Sequence, residues 1–319
     1  MESKQNANQI RMSEAKDDWK PLRKMASQPA DKYRIGEIGD PWGVAEKKEW
    51  LDQTTKKRSY LEEVVTKYVK IDMNVFEVRQ YGALSTDPAA FPLLAAISKD
   101  WDSSKPCVLV TGGVHGYETS GVQGTLLFAA TTAVDYAKQF NIVVCPCVSP
   151  WGYERVERWN PICLDPNRSF GPDESTHTEE SAAVIKLLDS LEPRSNISEG
   201  GVGGGWICHL DCHETTDTDE TEFMPARAAL VGSVYKRCEI PDGFFLVGNS
   251  ALPKEEWHAS VIASVEKITH ICVGDSTGAI IEEPLTSHGC ILTNDEECNR
   301  AQRAAVEGAL NHIRDFHSL

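Results

Sequence analysis

The sequence has no apolar run of about 18 residues, the length a helix needs to cross a bilayer, so no membrane span is expected. Its opening stretch, Met1 to Lys20, is polar and charged and lacks the apolar core of a secretory signal. A cytoplasmic location is the resulting expectation. Basic residues are in short supply: 32 Lys and Arg stand against 48 Asp and Glu, for a net charge of −16. Nucleic acid, which demands clustered Lys and Arg, is thereby excluded as a partner. The ten cysteines form no obvious redox or zinc pair, since Cys145-Pro-Cys147 has the wrong spacing. Cys107, Cys145, Cys147, Cys208 and Cys272 sit inside apolar runs and read as reduced core thiols. The glycine-rich stretch 198–205 is followed by no Gly-Lys-Ser/Thr, so it reads as a flexible connection and not a phosphate loop.

What is present centres on Cys107 to Glu118. Cys107–Thr111 is a short apolar run rich in β-branched residues, which suits a buried strand, and Gly112 and Gly113 end it. His115 and Glu118 follow, then a helical run from Gly121 to Lys138. A strand-to-helix turn lies at the carboxyl edge of an α/β sheet, where ligand sites form. An imidazole and a carboxylate three residues apart there could share one metal ion, zinc foremost. Taken alone, a His-x-x-Glu pair is more often a pair of solvated surface groups.

Apolar spacing predicts a helix within Lys47–Lys70, strands over Met73–Gln80 and Phe91–Ile97, and a further strand over Asn141–Val148. Ser149–Tyr153 reads as a turn, from its Pro and Gly. A helix over Thr178–Leu191 and a strand over Ile207–Cys212 come next, then short strands at Phe244–Val247 and Ala279–Ile281 and a closing helix over Glu296–Phe316. This alternation predicts an α/β fold: three α/β/α layers around a mixed, mostly parallel sheet. Strand alternation puts His209, Asp211 and His213 on one face. At roughly 3.3 Å per residue, His209 and His213 are about 13 Å apart, so only one can join His115 and Glu118. His213, at the strand's end, is the choice; His209 reads as a satisfied core histidine. Asp211 is either a partner that orients a ligand histidine or a surface acid.

With these residues in place the chain resembles the zinc carboxypeptidase family. The series His115-Gly-Tyr-Glu118, Ser149-Pro-Trp-Gly152, Arg158-Trp-Asn160, Asp165-Pro-Asn167-Arg168, His213 and Glu282-Glu-Pro284 follows that family's motif order over residues 107–284. Ser149, Trp151 and Pro166 depart from the usual pattern. The resemblance implies one zinc ion held by His115, Glu118 and His213. It also implies Glu282 as general base, Arg158 beside the developing oxyanion, and Asn167 and Arg168 on the substrate's terminal carboxylate. Glu283 is the alternative base and Arg155 the alternative cation. Residues 1–70 would form a partly helical N-terminal extension and 71–319 the catalytic domain. The implied activity is a metallocarboxypeptidase on small peptides. The alternative is an amidohydrolase of N-acyl amino acids, akin to the aspartoacylase and succinylglutamate desuccinylase branch, which Asp165-Pro-Asn-Arg168-Ser-Phe170-Gly171 partly resembles. A non-catalytic binding protein is a third class, disfavoured by the completeness of the ligand set. The acidic stretch His213–Glu222 would either line a specificity pocket or form a solvated loop.

Overall fold

Alternating side chains on two strands divide the core into two layers. Val108 and Val110 of one strand, and Ile142 and Val144 of its neighbour, join the larger apolar cluster. Leu109, Val143 and Cys145 face the other way into a smaller one. A strand buried on both faces is the signature of a sheet covered by helices on each side. The computed structural model describes residues 33–191, 205–235, 244–247, 254–269, 286–289 and 295–319.

In chain order the elements are α1 (Val44–Gln53), α2 (Tyr60–Glu63), a 3-10 turn (Val65–Lys70), β1 (Phe76–Ala83), β2 (Pro92–Ser98), β3 (Cys107–Gly112), α3 (Thr119–Thr131) and α4 (Ala133–Tyr136). There follow β4 (Asn141–Cys145), α5 (Pro150–Arg155), α6 (Glu179–Ser190), β5 (Trp206–Glu214), α7 (Met224–Leu230), β6 (Phe245–Val247), α8 (Glu255–Ile268), β7 (Thr286–Gly289) and α9 (Asp295–His317). The seven strands form one sheet in the order β1-β2-β4-β3-β5-β7-β6. β4, β3, β5 and β7 are mutually parallel, and β1 shares their direction through two antiparallel pairings, while β2 and β6 oppose them. The sheet is therefore mixed and mostly parallel. Helices α3, α8 and α9 supply the larger cluster, and α6, through Val184 and Leu187, the smaller. Among the described residues no helix is long and apolar enough to cross a membrane.

Two local readings change. The helix expected within Lys47–Lys70 is broken after Gln53, because Lys57 and Arg58 give their backbone N–H groups to the Glu154 carbonyl. Ser149–Tyr153 is not a loop: Pro150 occupies the first turn of α5, where its missing N–H costs nothing. The strand Ala279–Ile281 lies outside the described residues, as does most of the glycine-rich stretch. The segment from Tyr33 to Ile71 contributes Tyr33, Ile35, Trp42, Trp50, Tyr60, Val64, Tyr68 and Ile71 to the larger cluster. There Trp42 and Trp50 meet Trp159 at ring-centroid distances of 6.2 and 5.6 Å, and Trp50 meets Trp151 at 6.2 Å. The cysteines Cys107, Cys145, Cys147, Cys163, Cys212 and Cys298 are buried and unbridged, as core thiols should be.

Candidate metal centre

β3 gives way to a turn in which Gly113 takes φ +58°, a left-handed conformation open to glycine at little cost. The turn presents His115, and α3 begins directly after Glu118. β5, parallel to β3, brings His213 to the same sheet edge. The three side chains are 1–2% exposed, and one donor atom from each lies within 4.8 Å of the other two. His115 Nδ1 is 2.8 Å from Glu118 Oε1, and His213 Nδ1 is 2.6 Å from Glu118 Oε2.

The opposite ring nitrogens are also engaged. His115 Nε2 is 2.9 Å from Asp165 Oδ1, and His213 Nε2 is 2.6 Å from Asp211 Oδ2. A carboxylate behind an imidazole fixes its tautomer and turns the other nitrogen's lone pair toward a metal. Asp211 is thus the orienting partner, and it is itself held by Thr111 Oγ1 at 2.7 Å. His209 does not join the centre; its Nε2 lies 2.8 Å from the same hydroxyl. Gln302 of α9 donates to the His213 carbonyl at 2.6 Å and ties that strand end to the helix layer.

The electrostatics call for a cation. Burial alone would raise Glu118, but the His213 and His115 rings outweigh it and hold the carboxyl well below its usual range. Burial likewise works against Asp165 and Asp211, and His115 with Arg158, and His213, keep them ionised. Burial disfavours a charged His213, yet Asp211 and Glu118 drive its pKa well above the ordinary value. With neutral imidazoles, the three carboxylates that touch the rings, Glu118, Asp165 and Asp211 (−3), and Arg158 (+1) leave −2, before Asp219 beside Arg158 is counted. One divalent ion between the rings would cancel that charge, and two imidazoles with one carboxylate suit zinc.

Arg158 is the arginine the turn delivers. Its Nε donates to Asp165 Oδ2 at 3.2 Å, and its Nη1 lies 3.4 Å from the Tyr117 hydroxyl. Arg155 points elsewhere, its guanidinium 4.5 Å above the Trp151 ring. Asn167 and Arg168 form a 3-10 turn capped by Asp165, which accepts from Asn167 N at 2.9 Å. Asn167 is half-buried, and Arg168 is exposed with its Nη1 3.2 Å from the Asn167 carbonyl. Glu282 and Glu283 lie outside the described residues. Two groups had no role in the sequence reading. Asp165 binds His115 with one oxygen and Arg158 with the other; its only sequence signal is its place before Pro-Asn-Arg. Tyr117 is buried between His115 and Phe223 and donates to Asp219 Oδ1 at 2.7 Å. Tyr117 carries no such signal.

The acidic stretch is largely consumed by the fold. Glu214 Oε2 accepts from Ser120 N at 2.8 Å, in the first turn of α3. Asp219, the first residue of a π-helical turn over Asp219–Phe223, accepts from Thr216 N at 2.8 Å. Glu222 takes Arg34 at 2.6 Å and the Tyr33 hydroxyl. Near them, burial pushes Glu157 up to about 7, with Lys57 opposing and Glu222 assisting. A folded pKa above the free value near 4.5 means stability that is full below that value and lost as pH rises through about 7. Glu157→Gln is expected to stabilise the protein by about 1–3 kcal/mol at pH 8 and far less at pH 5. Urea unfolding at the two pH values measures this, and a gap that does not widen with pH refutes it.

No protein-family profile matches the chain, and no curated protein matches it in sequence. Solved structures do. A protein assigned as a metallopeptidase from Shewanella amazonensis aligns at TM-score 0.56 and 17% identity, over 82% of this chain and 99% of that one. Bovine thrombin-activatable fibrinolysis inhibitor aligns at TM-score 0.53 and 12% identity, over 84% and 99%. A metallo-carboxypeptidase from Pseudomonas aeruginosa aligns at TM-score 0.53 and 10% identity, over 86% and 70%. At such identities the likeness concerns architecture: the chain has the fold of the metallo-carboxypeptidases.

Proposed function

We propose that the protein is a zinc-dependent hydrolase, a metallocarboxypeptidase that removes the last residue of small peptides. The observation that carries this reading is the convergence of His115, Glu118 and His213, each ring backed by its own carboxylate. These three residues would hold one zinc ion and leave a coordination position open, as catalytic sites do. When bound, the metal supplies Lewis-acid activation of water and of the scissile carbonyl. Arg158, steadied by Asp165, stabilises the carbonyl oxygen as it gains charge. Asn167 and Arg168 receive the substrate's free carboxylate, for which a guanidinium fork is well shaped. Glu282 takes the proton of the attacking water and passes it to the leaving amine. The neighbouring P. aeruginosa enzyme was solved with (2-guanidinoethylmercapto)succinic acid, and the bovine one with a carboxypeptidase inhibitor, which agrees with a carboxylate-reading site.

The test is hydrolysis of dipeptides, their C-terminal amides and N-acyl amino acids, before and after chelation. Dipeptides with a free carboxylate should be cleaved, the amides spared, and activity should vanish with chelator and return with zinc. Preference for N-acyl amino acids would select the amidohydrolase alternative, and activity indifferent to chelation would end both readings.

A further inference from the structure

A cavity of about 370 Å3 lies between the 3-10 turn, α3 and the start of α9, and contains none of the residues assigned above. Lys67 and Lys70 reach it from the turn, and Arg300 and Arg303 from α9, against one lining carboxylate, Glu296. In a chain of net charge −16 this is an inverted balance. Like charges brought together repel, and the fold offers little to offset them. Among the described residues no carboxylate lies within ion-pair distance of Lys67, Lys70 or Arg300. Arg303 Nε sits 3.2 Å from Glu307. Among the described residues Arg300 Nε and Arg303 Nε are both buried without a hydrogen-bond partner. Buried guanidinium N–H groups call for an acceptor, which an anionic ligand would supply.

The walls are preformed. Gly124 of α3 is packed so closely on α9 that a Cβ there would stand 2.4 Å from the Gln302 Cβ, so the two helices hold a fixed spacing. The Lys67 amine is bonded to the Gln123 amide oxygen, which aims it along α3. Leu126, Leu127 and Ala130 make an apolar floor. We propose that this cavity binds a small phosphorylated metabolite, its phosphates on the two arginines and two lysines and its apolar or planar body on the α3 floor. Two planar guanidinium forks select phosphate oxygens in pairs, and the volume falls within the range of small-ligand sites.

The test is calorimetric titration of the zinc-loaded full-length protein with adenosine diphosphate and with inorganic pyrophosphate, on wild type, R300Q/R303Q and K70Q. Wild type is expected to bind adenosine diphosphate below about 1 mM, and pyrophosphate more weakly for want of the apolar contact. R300Q/R303Q should weaken both by about tenfold or more, with zinc content unchanged. K70Q, at an exposed position that leaves packing untouched, should weaken both several-fold and serves if the double variant does not fold. No binding of either probe to wild type overturns the proposal. So does equal affinity in both variants, which would place the anion at the metal centre or elsewhere.

Discussion

Glu118→Gln is expected to abolish zinc binding, with equilibrium dialysis giving one ion per chain for wild type and none for the variant. Among the described residues Glu118 is the one carboxylate that touches both Nδ1 atoms, at 2.8 and 2.6 Å, so the amide removes a ligand and its charge together. Asp165→Asn tests the layer behind. An orienting carboxylate typically contributes ten- to a hundredfold to metal affinity, so zinc should bind Asp165→Asn that much more weakly. The effect of Glu118→Gln must exceed this, since it removes a ligand where Asp165→Asn loosens one. Stoichiometric zinc in Glu118→Gln at micromolar metal would refute the ligand set. A single break at His213 would not discriminate as well, because it leaves Glu118 and its partner ring in place.

Gly116→Ala should be nearly as damaging by a route that involves no charge. A Cβ at Gly116 would lie 2.0 Å from the Gly152 carbonyl carbon and 2.1 Å from Tyr153 N. Both obstacles are backbone, so neither can swing aside. Overpacking in a closed site costs about 1–3 kcal/mol, and an overlap this deep belongs at or above the top of that range. The turn would have to move, and His115 and Glu118 move with it. Arg58 stiffens the turn further, bonding the Gly116 carbonyl at 2.8 Å and the Thr119 hydroxyl at 2.6 Å. The expected result is a melting temperature lower by several degrees together with weakened zinc binding. Gly171→Ala, with nothing within 4 Å of its Cβ, is the control and should change neither. A Gly116→Ala protein as stable and as zinc-replete as wild type would mean the turn yields more easily than its packing implies.

How much of this could be read from residues alone varies with the physics involved. The β3 strand was legible, because its apolar run and closing glycines act within a few residues of chain. So were the three converging donors, because their types and order constrain each other across the sheet. The helix α5 was misread because Pro and Gly mark turns on average, while here Pro150 fills a helix's first turn. Asp165 has no role legible in its motif, since its two-sided use depends on His115 and Arg158 arriving from separate segments. The acidic stretch reads from sequence as either a pocket lining or a solvated loop. Its capping and pairing with Ser120, Tyr117 and Arg34 are tertiary facts that composition does not carry. The assignment of Glu282 as base rests still on its motif.

The tryptophan cluster gives the site a built-in optical probe. Trp42, Trp50, Trp151 and Trp159 are each no more than 5% exposed, with Trp50 close to both Trp151 and Trp159. Trp159 follows Arg158 in the chain, and Trp151 precedes the Gly152 that abuts Gly116. Indoles this close exchange excitation, so the emission of the group is a collective property of its packing. A shift of the turn that carries His115 and Glu118 therefore reaches a chromophore within a residue or two, and site assembly can be followed in unlabelled protein by its own fluorescence.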